Sequence, residues 1–546
     1  MKVLMLQPPV RDFYDTDIRL QPLGLCMLKA AIKKYLPSLD VIVKDYHQGY
    51  GRKTISYPPE FSYLKGYYSY PDAGPFSMFH QFYHFGAAYN EIAMDVKKEH
   101  PDIVGISSLF TPFYQEALAC AGAIKKILNV PIIMGGLHVS AEPISMLKDP
   151  NVDFVIRGEG ERPMVQFLKA FQNNEPMDEV PNLGFKKHGE PILNPIGKPY
   201  DLNDLPWADF SDFPIDRYLY EKKPLCFLTT SRGCPHQCSF CSVHLTFGKG
   251  CRQRSVDDIV TEIKTRYEKG YRVFDFEDDN LTFYGDSFKS LLKRIIKEIP
   301  IQEIRFLAMN GISYMSLDRE ILGLMKQAGF KSLNISLVSA RAETLSRVRR
   351  PHTLKKFLEV VEQASHLEFD MVAYQILGLP SETLNDMIDT MILLASLPVL
   401  IGVSIFYLIP GSPMAEEFPD MTPADMVKAR STAMAIESEH FNRDDLYTLF
   451  ITARIINFIK GLEPEEKRIQ LKEALDEEGK ISKKNEMGAE ILRRLFKEKV
   501  LYAATKEGHK PLLRFQTDLF FQIWEKVPHI IAQNGSVIDT SSSFNG

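Results

Sequence analysis

Three cysteines stand close together in the stretch Ser231-Arg232-Gly233-Cys234-Pro235-His236-Gln237-Cys238-Ser239-Phe240-Cys241. Their C-x3-C-x2-C spacing lets one short loop grip a single compact inorganic group. The preceding run, Leu225-Cys226-Phe227-Leu228-Thr229-Thr230, reads as a short buried strand. The thiols therefore lie on the loop leaving a strand's carboxyl end, where α/β barrels keep their chemistry. Three thiolates are one short of a closed zinc site or a fully ligated iron–sulfur cubane. A cubane held by Cys234, Cys238 and Cys241 keeps one iron open to a substrate. The competing reading is a structural zinc knuckle completed by Cys251, His236 or His244.

Alternating helices and strands must position this loop. Downstream, helical spacing over 257–269 starts at an N-cap, Ser255. Strands follow at 273–277, 304–308, 332–337, 371–377 and 402–408, and a helix over 318–328 is capped by Gly329. With the strand before the cysteines, that makes six βα units: an incomplete barrel, open on one side. Polar residues and glycines recur at the strand ends: Asp278 and Asp279, Asn310, Ser336 and Ser339, then Gly378-Leu379-Pro380-Ser381-Glu382-Thr383. Arg347, Arg349 and Arg350 read either as a solvated charge run or as partners for a carboxylate.

Upstream, residues 1–172 alternate strands (3–6, 41–45, 103–107, 131–134, 152–156) with helices (22–35, 114–128), the pattern of a doubly wound parallel sheet. Such sheets bind ligands outside their strands' carboxyl ends. Glycine-rich turns fall there: Gly135-Gly136 and Gly158-Glu159-Gly160-Glu161. Residues 51–90 form an aromatic insertion, read either as a pocket wall or as a subdomain packed with rings. Residues 173–215 are polar and proline-rich, an ordered linker into the barrel at 216–420. Amphipathic spacing at 424–438, 446–460, 464–475, 489–501 and 515–525 predicts a helical cap over 421–546, and 533–546 reads as a disordered tail.

The cysteine loop and its setting resemble the radical S-adenosylmethionine (SAM) superfamily. The resemblance implies that Cys234, Cys238 and Cys241 ligate a 4Fe–4S cluster whose fourth iron binds SAM, and that Phe240 covers the cluster near the adenine. Asp278 and Asp279 match the family's acidic turn and would orient SAM's ammonium, although an acidic turn can equally be solvated. Asn310 would bond a ribose or carboxylate, Ser339 a ribose, and the backbone at Gly378 and Pro380 the adenine. Val338 stands where the family has a ribose-binding glutamate. Tyr407-Leu408-Ile409-Pro410-Gly411-Ser412-Pro413 resembles the family's closing segment. The first domain, in turn, resembles the cobalamin-binding domain that precedes many radical SAM cores. By that likeness the loops bearing Ser107, Ser108 and Thr111, then Gly135, Gly136 and His138, then Gly158, Glu159, Gly160 and Glu161 surround the corrin and its nucleotide tail. Asp45-Tyr46-His47-Gln48-Gly49-Tyr50 imitates the D-x-H-x-x-G cobalt-ligand motif but has tyrosine at its last position and follows the second strand. His47 is therefore expected to be solvent-facing or structural, and no histidine ligand to cobalt is expected.

The composition bounds the rest. The 546 residues exceed one core and suggest about three domains. A formal charge of −5 without a strong basic run argues against nucleic acid as the main partner. No apolar run of about 18 residues appears, so no membrane span is expected. Seven cysteines, three of them clustered, do not form a secreted disulfide framework and point to the cytoplasm. The leading expectation is a monomeric cobalamin-dependent radical SAM enzyme that cleaves SAM to a 5′-deoxyadenosyl radical and methylates an unactivated carbon through methylcobalamin. Its substrate would be a small molecule or peptide, and its electron donor a flavodoxin or ferredoxin. The alternatives are a non-methylating radical SAM cyclase or rearrangement enzyme, and a non-catalytic cobalamin- or zinc-binding sensor.

Overall fold

Residues 3–6, Val-Leu-Met-Leu, are fully buried, and their alternate side chains feed two different cores. Only a strand sandwiched between helical layers has that property. In the computed structural model, which describes residues 1–14, 20–476 and 483–540, this strand (Lys2–Gln7) lies one in from the edge of a seven-stranded sheet. Asp40–Asp45, Lys2–Gln7, Ile103–Ser107, Ile132–Gly135 and Phe154–Ile156 run parallel in that order. Helices Leu23–Tyr35 and Glu161–Asn173 cover the face to which Val3 and Met5 point, burying Leu25, Ile32, Phe167 and Leu168. Helices Tyr89–Glu99 and Tyr114–Lys125 cover the other face. Within the stretch read as linker, Leu183–Lys187 and Glu190–Leu193 form a hairpin that extends the sheet edge antiparallel to Phe154–Ile156.

The aromatic insertion is a packed subdomain. Val10–Asp12, Arg52–Ile55 and Phe82–Phe85 form a small antiparallel sheet. Phe13, fully buried, meets the rings of Tyr57, Phe61, Tyr68 and Phe82 at centroid distances of 4.8–5.4 Å. Arg430 of the C-terminal region bonds the carbonyls of Arg11 and Pro112 at 2.6 and 2.7 Å, and pairs with Asp12 at 3.2 Å.

The barrel's parallel strands fall in two sheets joined edge to edge. Lys223–Leu228, Val273–Phe276 and Arg305–Leu307 form one, and Ser332–Val338, Asp370–Leu377 and Leu400–Ile405 the other. Isolated bridges Phe306–Phe330 and Ile312–Ile335 join them. The last strand starts at Leu400, two residues earlier than expected, because Leu400 and Ile401 already pair with Val372 and Ala373. Side-chain caps set the helix starts: Ser255 for Val256–Glu268, Asp318 for Arg319–Ala328, and a Thr383–Asp386 capping box for Leu384–Ala395.

Helix Arg443–Lys460 packs on the last strand, and the buried Lys460 ammonium donates to the carbonyls of Leu394, Leu397 and Val399. Helices Lys483–Glu498 and Thr517–Trp524 also fall where amphipathic spacing predicts them, but other parts of the cap depart from that reading. Residues 424–438 hold only the short helix Pro423–Val427 and a 3-10 turn, and the backbone turns left-handed at Met434. Arg468–Gln470 is a strand, followed by helix Leu471–Asp476. Part of the expected tail is also ordered, since Val537–Asp539 pairs with Arg468–Gln470 and His529–Ile531. Residues 541–546 lie outside the described residues. Among the described residues no helix is long and apolar enough to cross a membrane.

Candidate active site

The cysteine loop leaves the carboxyl end of Lys223–Leu228 and is tied down before its first thiol. The backbone N–H groups and hydroxyls of Thr230 and Ser231 all donate to the Asp278 carboxylate at 2.5–3.1 Å. Ser231-Arg232 then pairs antiparallel with Arg252-Gln253, closing the loop's neck. Gly233 takes φ +83°, and a Cβ there would stand 2.5 Å from the Gly250 carbonyl oxygen, so the pinch requires glycine. Its N–H donates to Asp279 at 2.9 Å.

All seven cysteines are free thiols. Burial pushes the Cys241 thiol up to about 11 and raises Cys238, where the nearby Arg350 guanidinium acts in the opposite direction. Such thiols stay protonated until a metal replaces their protons. The Asn280 amide donates to the Cys234 sulfur at 3.5 Å. Among the described residues no three His, Cys, Asp or Glu side chains converge to hold a metal ion. Three thiols on one short loop, with the Asn280 amide on one sulfur, are a donor set that fits a cubane taking each thiolate on a separate iron.

Beside the loop lies a cavity of about 680 Å³. One side is the carboxyl edge of the N-terminal sheet, with Ser107, Gly135, Gly136 and the turn Gly158-Glu159-Gly160-Glu161. The opposite side is the barrel, with Thr229, Arg232, Val243, Glu277, Asp279 and Asn310. Gly136 has φ +123°, and a Cβ would fall 2.4 Å from the Ser108 carbonyl oxygen. This edge is a backbone cradle of the kind a corrin's periphery could approach, and its residues fit that group. Ser108, Thr111 and His138 lie beneath the cradle, buried and outside the cavity's lining. His138 Nδ1 is 3.4 Å from the Thr111 hydroxyl, its ring lies tilted against Tyr114 at a centroid distance of 4.7 Å, and burial pulls its pKa down to about 4.

The residues expected around SAM separate into three groups. Asp279 and Asn310 face the cavity, and the Asn310 amide donates to Glu277 at 2.8 Å. Surrounding protein raises the Asp279 carboxyl to about 6 and the Asp278 charge adds to this, while the Gly233 N–H opposes it. Phe240 packs with Val338, Leu379 and Phe406, beside the turn at Gly378 and Pro380 and outside the cavity's lining. Asp278 and Ser339 depart from their expected roles. Asp278 is 2% exposed and spends its oxygens on the loop's entry, so it clamps the backbone and does not face a ligand. Ser339 is fully buried, 3.4 Å from the Thr390 hydroxyl. A bulge between Ser336 and Val338 and a left-handed backbone at Val338 (φ +74°) accompany that inward turn. His47 is buried, not solvent-facing. Of the three arginines, Arg347 and Arg349 are exposed, whereas Arg350 donates to the Ser336 carbonyl at 2.7 Å and lies near Cys238.

Sequence reasoning gave no role to Arg232 and Arg252. Arg232 pairs with Glu159 at 2.8 Å and Glu161 at 2.5 Å, and Arg252 pairs with Glu159 at 2.7 Å. Burial raises the Glu161 carboxyl, but Arg232 more than offsets this and leaves it lowered. The signal was two glycine-flanked motifs of opposite charge, Glu159/Glu161 and Arg232.

Residues 228–394 match the model of the radical SAM superfamily, which defines the class of the barrel and its cysteine loop. Residues 80–168 match the model of the B12-binding domain. The chain thus carries a B12-binding domain followed by a radical SAM domain. An uncharacterized methyltransferase of Pyrococcus horikoshii is 29% identical over 300 residues, 54% of this chain and 64% of that protein. The chain thus spans just under two thirds of that relative's length. The cytidylyl-2-hydroxyethylphosphonate methyltransferase of Streptomyces wedmorensis is 26% identical over 419 residues, covering 69% of this chain and 73% of the relative. Among solved structures, the radical SAM methyltransferase TsrM of Kitasatospora setae, with cobalamin and a 4Fe–4S cluster bound, superposes with a TM-score of 0.57. The match covers 76% of this chain and 74% of that one at 16% identity, a likeness of fold.

Proposed function

We propose that this chain is a cobalamin-dependent radical SAM enzyme that transfers a methyl group to an unactivated carbon. One observation carries the reading: a single cavity is walled on one side by the sheet edge bearing Ser107, Gly135 and Gly160, and on the other by Val243, Asp279 and Asn310 near the cysteine loop. When bound, the cluster and SAM supply a 5′-deoxyadenosyl radical, and cobalamin supplies the methyl group. The protein holds these groups and the substrate in reacting order and excludes water. Cys234, Cys238 and Cys241 would hold the cluster, and Phe240, on the same loop, would cover it. Gly135, Gly136, Gly158 and Gly160 let the backbone approach the corrin, with Glu159 and Glu161 fixing their turn. Asp279 and Asn310 present polar atoms to SAM. The methyltransferases of Pyrococcus and Streptomyces support the methyl-transfer outcome. A flavodoxin or ferredoxin in a reducing cytoplasm would supply electrons to the three-thiol cluster.

Anaerobic reconstitution tests the proposal. The expected protein is brown, carries about four irons and a corrin absorbance, and yields methylated product with both S-adenosylhomocysteine and 5′-deoxyadenosine. Deoxyadenosine with an unmethylated product would overturn methyl transfer in favour of a cyclase or rearrangement. Colourless protein holding one zinc would overturn the enzyme altogether.

A further inference from the structure

The cysteine loop is fastened to the N-terminal domain at its neck and again near its middle. At the neck, Arg232 spans Glu159 and Glu161 while Arg252 takes the second oxygen of Glu159. The side chains of Arg232, Glu159 and Glu161 are each 7% exposed. The Tyr200 hydroxyl fills the other oxygen of Glu161 at 2.5 Å, and Arg252 returns a bond to the Tyr200 carbonyl at 2.7 Å. Farther on, the loop's short helix Val243–Phe247 packs against Leu137–Ala141, the helix that follows Gly135-Gly136. A Cβ on Gly158 would lie 3.2 Å from the Thr246 carbonyl oxygen. Arg232, Ser242, Val243 and Phe247 of this loop line the same cavity as the sheet's carboxyl edge. The segment that carries the thiols is therefore also a wall of the cavity assigned to cobalamin.

We infer that the buried charge cluster of Arg232, Glu159, Glu161 and Arg252 joins the two cofactor sites into one thermodynamic unit, so that each cofactor raises the protein's affinity for the other. The inference rests on the cofactor reading under Proposed function. Between Arg232 and Arg252 the loop has one short helix as its regular structure. Whichever cofactor binds first holds this wall in place. The second cofactor meets a wall already formed, and linkage makes the gain reciprocal. Arg232 and Arg252 act here as positioning residues. Arginine suits the neck because its planar fork reaches two carboxylates at once, a geometry that lysine lacks.

The test is a cobalamin titration, read by corrin absorbance, of the full chain with its cluster reconstituted and of the same protein stripped of iron by a chelator. Binding is expected to weaken at least about five-fold on stripping, and iron loss to the chelator is expected to slow when cobalamin is present. In Arg232→Lys, or in Glu159→Gln should that variant fold poorly, the ratio of the two affinities should fall toward one. Equal affinities with and without the cluster in the parent protein would overturn the coupling and leave the proposed function standing. Coupling that survives both substitutions would overturn the role of the charge cluster. Protein that holds its cluster but takes up no cobalamin would overturn the cofactor reading and the inference together.

Discussion

The two edges that face each other across the cavity are built by opposite means. The barrel edge works with side chains: three thiols, Asp278 clamping the loop's entry and Asn280 on the Cys234 sulfur. The N-terminal edge works with backbone: Gly136 at φ +123° and Gly158 at φ +69°, whose nearby carboxylates are committed to Arg232 and Arg252. A side-chain site is defined by atoms that can be deleted one at a time. A backbone site is defined by missing atoms, and is damaged by adding one.

The largest expected effect breaks one edge and leaves the other able to load its cofactor, at the lower affinity expected of protein without a cluster. Replacing Cys234, Cys238 and Cys241 together with alanine should abolish iron binding and SAM cleavage while corrin absorbance remains after cobalamin loading. Iron assay and the absorbance spectrum check this. Cleavage that persists would remove the side-chain half of the comparison.

Adding a methyl group at the two pinch points sharpens it. Gly233→Ala places Cβ 2.5 Å from the Gly250 oxygen, and Gly136→Ala places it 2.4 Å from the Ser108 oxygen, each at a backbone angle disfavoured for alanine. Either conformation costs an L-residue about 1–3 kcal/mol before the clash is counted. Gly233→Ala should cut iron occupancy most, and Gly136→Ala should weaken cobalamin binding about tenfold or more. Reversal of those two patterns would show that the edges do not divide the cofactors as proposed. A milder substitution probes a single bond. Asn280→Ala removes the donor to Cys234 and should shift the reduced cluster's potential to a more negative value, since hydrogen bonds to sulfur stabilise the more negative state. An unchanged potential in a redox titration would take Asn280 out of the site.

The same division explains what was legible in the sequence. Cysteine is scarce and three of its seven copies fall within eight residues, so the barrel edge could be named from the chain alone. The doubly wound sheet was equally readable, because Val3–Leu6 and its parallel neighbours are unbroken apolar runs. Directions were harder to read. Asp278 and Ser339 sit at expected strand ends, yet one turns under the loop and the other into the core past a bulge that strand alternation cannot foresee. Contacts distant in sequence were invisible. Val537–Asp539 lies between the nearby His529–Ile531 and the distant Arg468–Gln470, and Arg232 has a role only because Glu159 and Glu161 fold back to meet it.

The smallest expected effects are opposite responses of the two edges to pH. Burial pulls His138, under the N-terminal edge, down to about 4 from its ordinary value of 6.5. Between those values the unfolded chain binds a proton that the folded one refuses, so this contribution to stability is lost as pH falls from 6.5 toward 4. Glu382, behind the barrel edge, is pushed by burial up to about 8 from 4.5, with Ser339 opposing the rise. Here the folded chain keeps a proton that the unfolded one releases, so the contribution is lost as pH rises from 4.5 toward 8. Each slope is at most about 1.4 kcal/mol per pH unit. Hydrogen exchange measured segment by segment should show His138→Gln flattening the acid response of helix Leu137–Ala141. Glu382→Gln should flatten the alkaline response around the 378–383 turn. Matching signs in the two segments would mean that burial does not set at least one of the two values, since burial raises a carboxyl and lowers an imidazole.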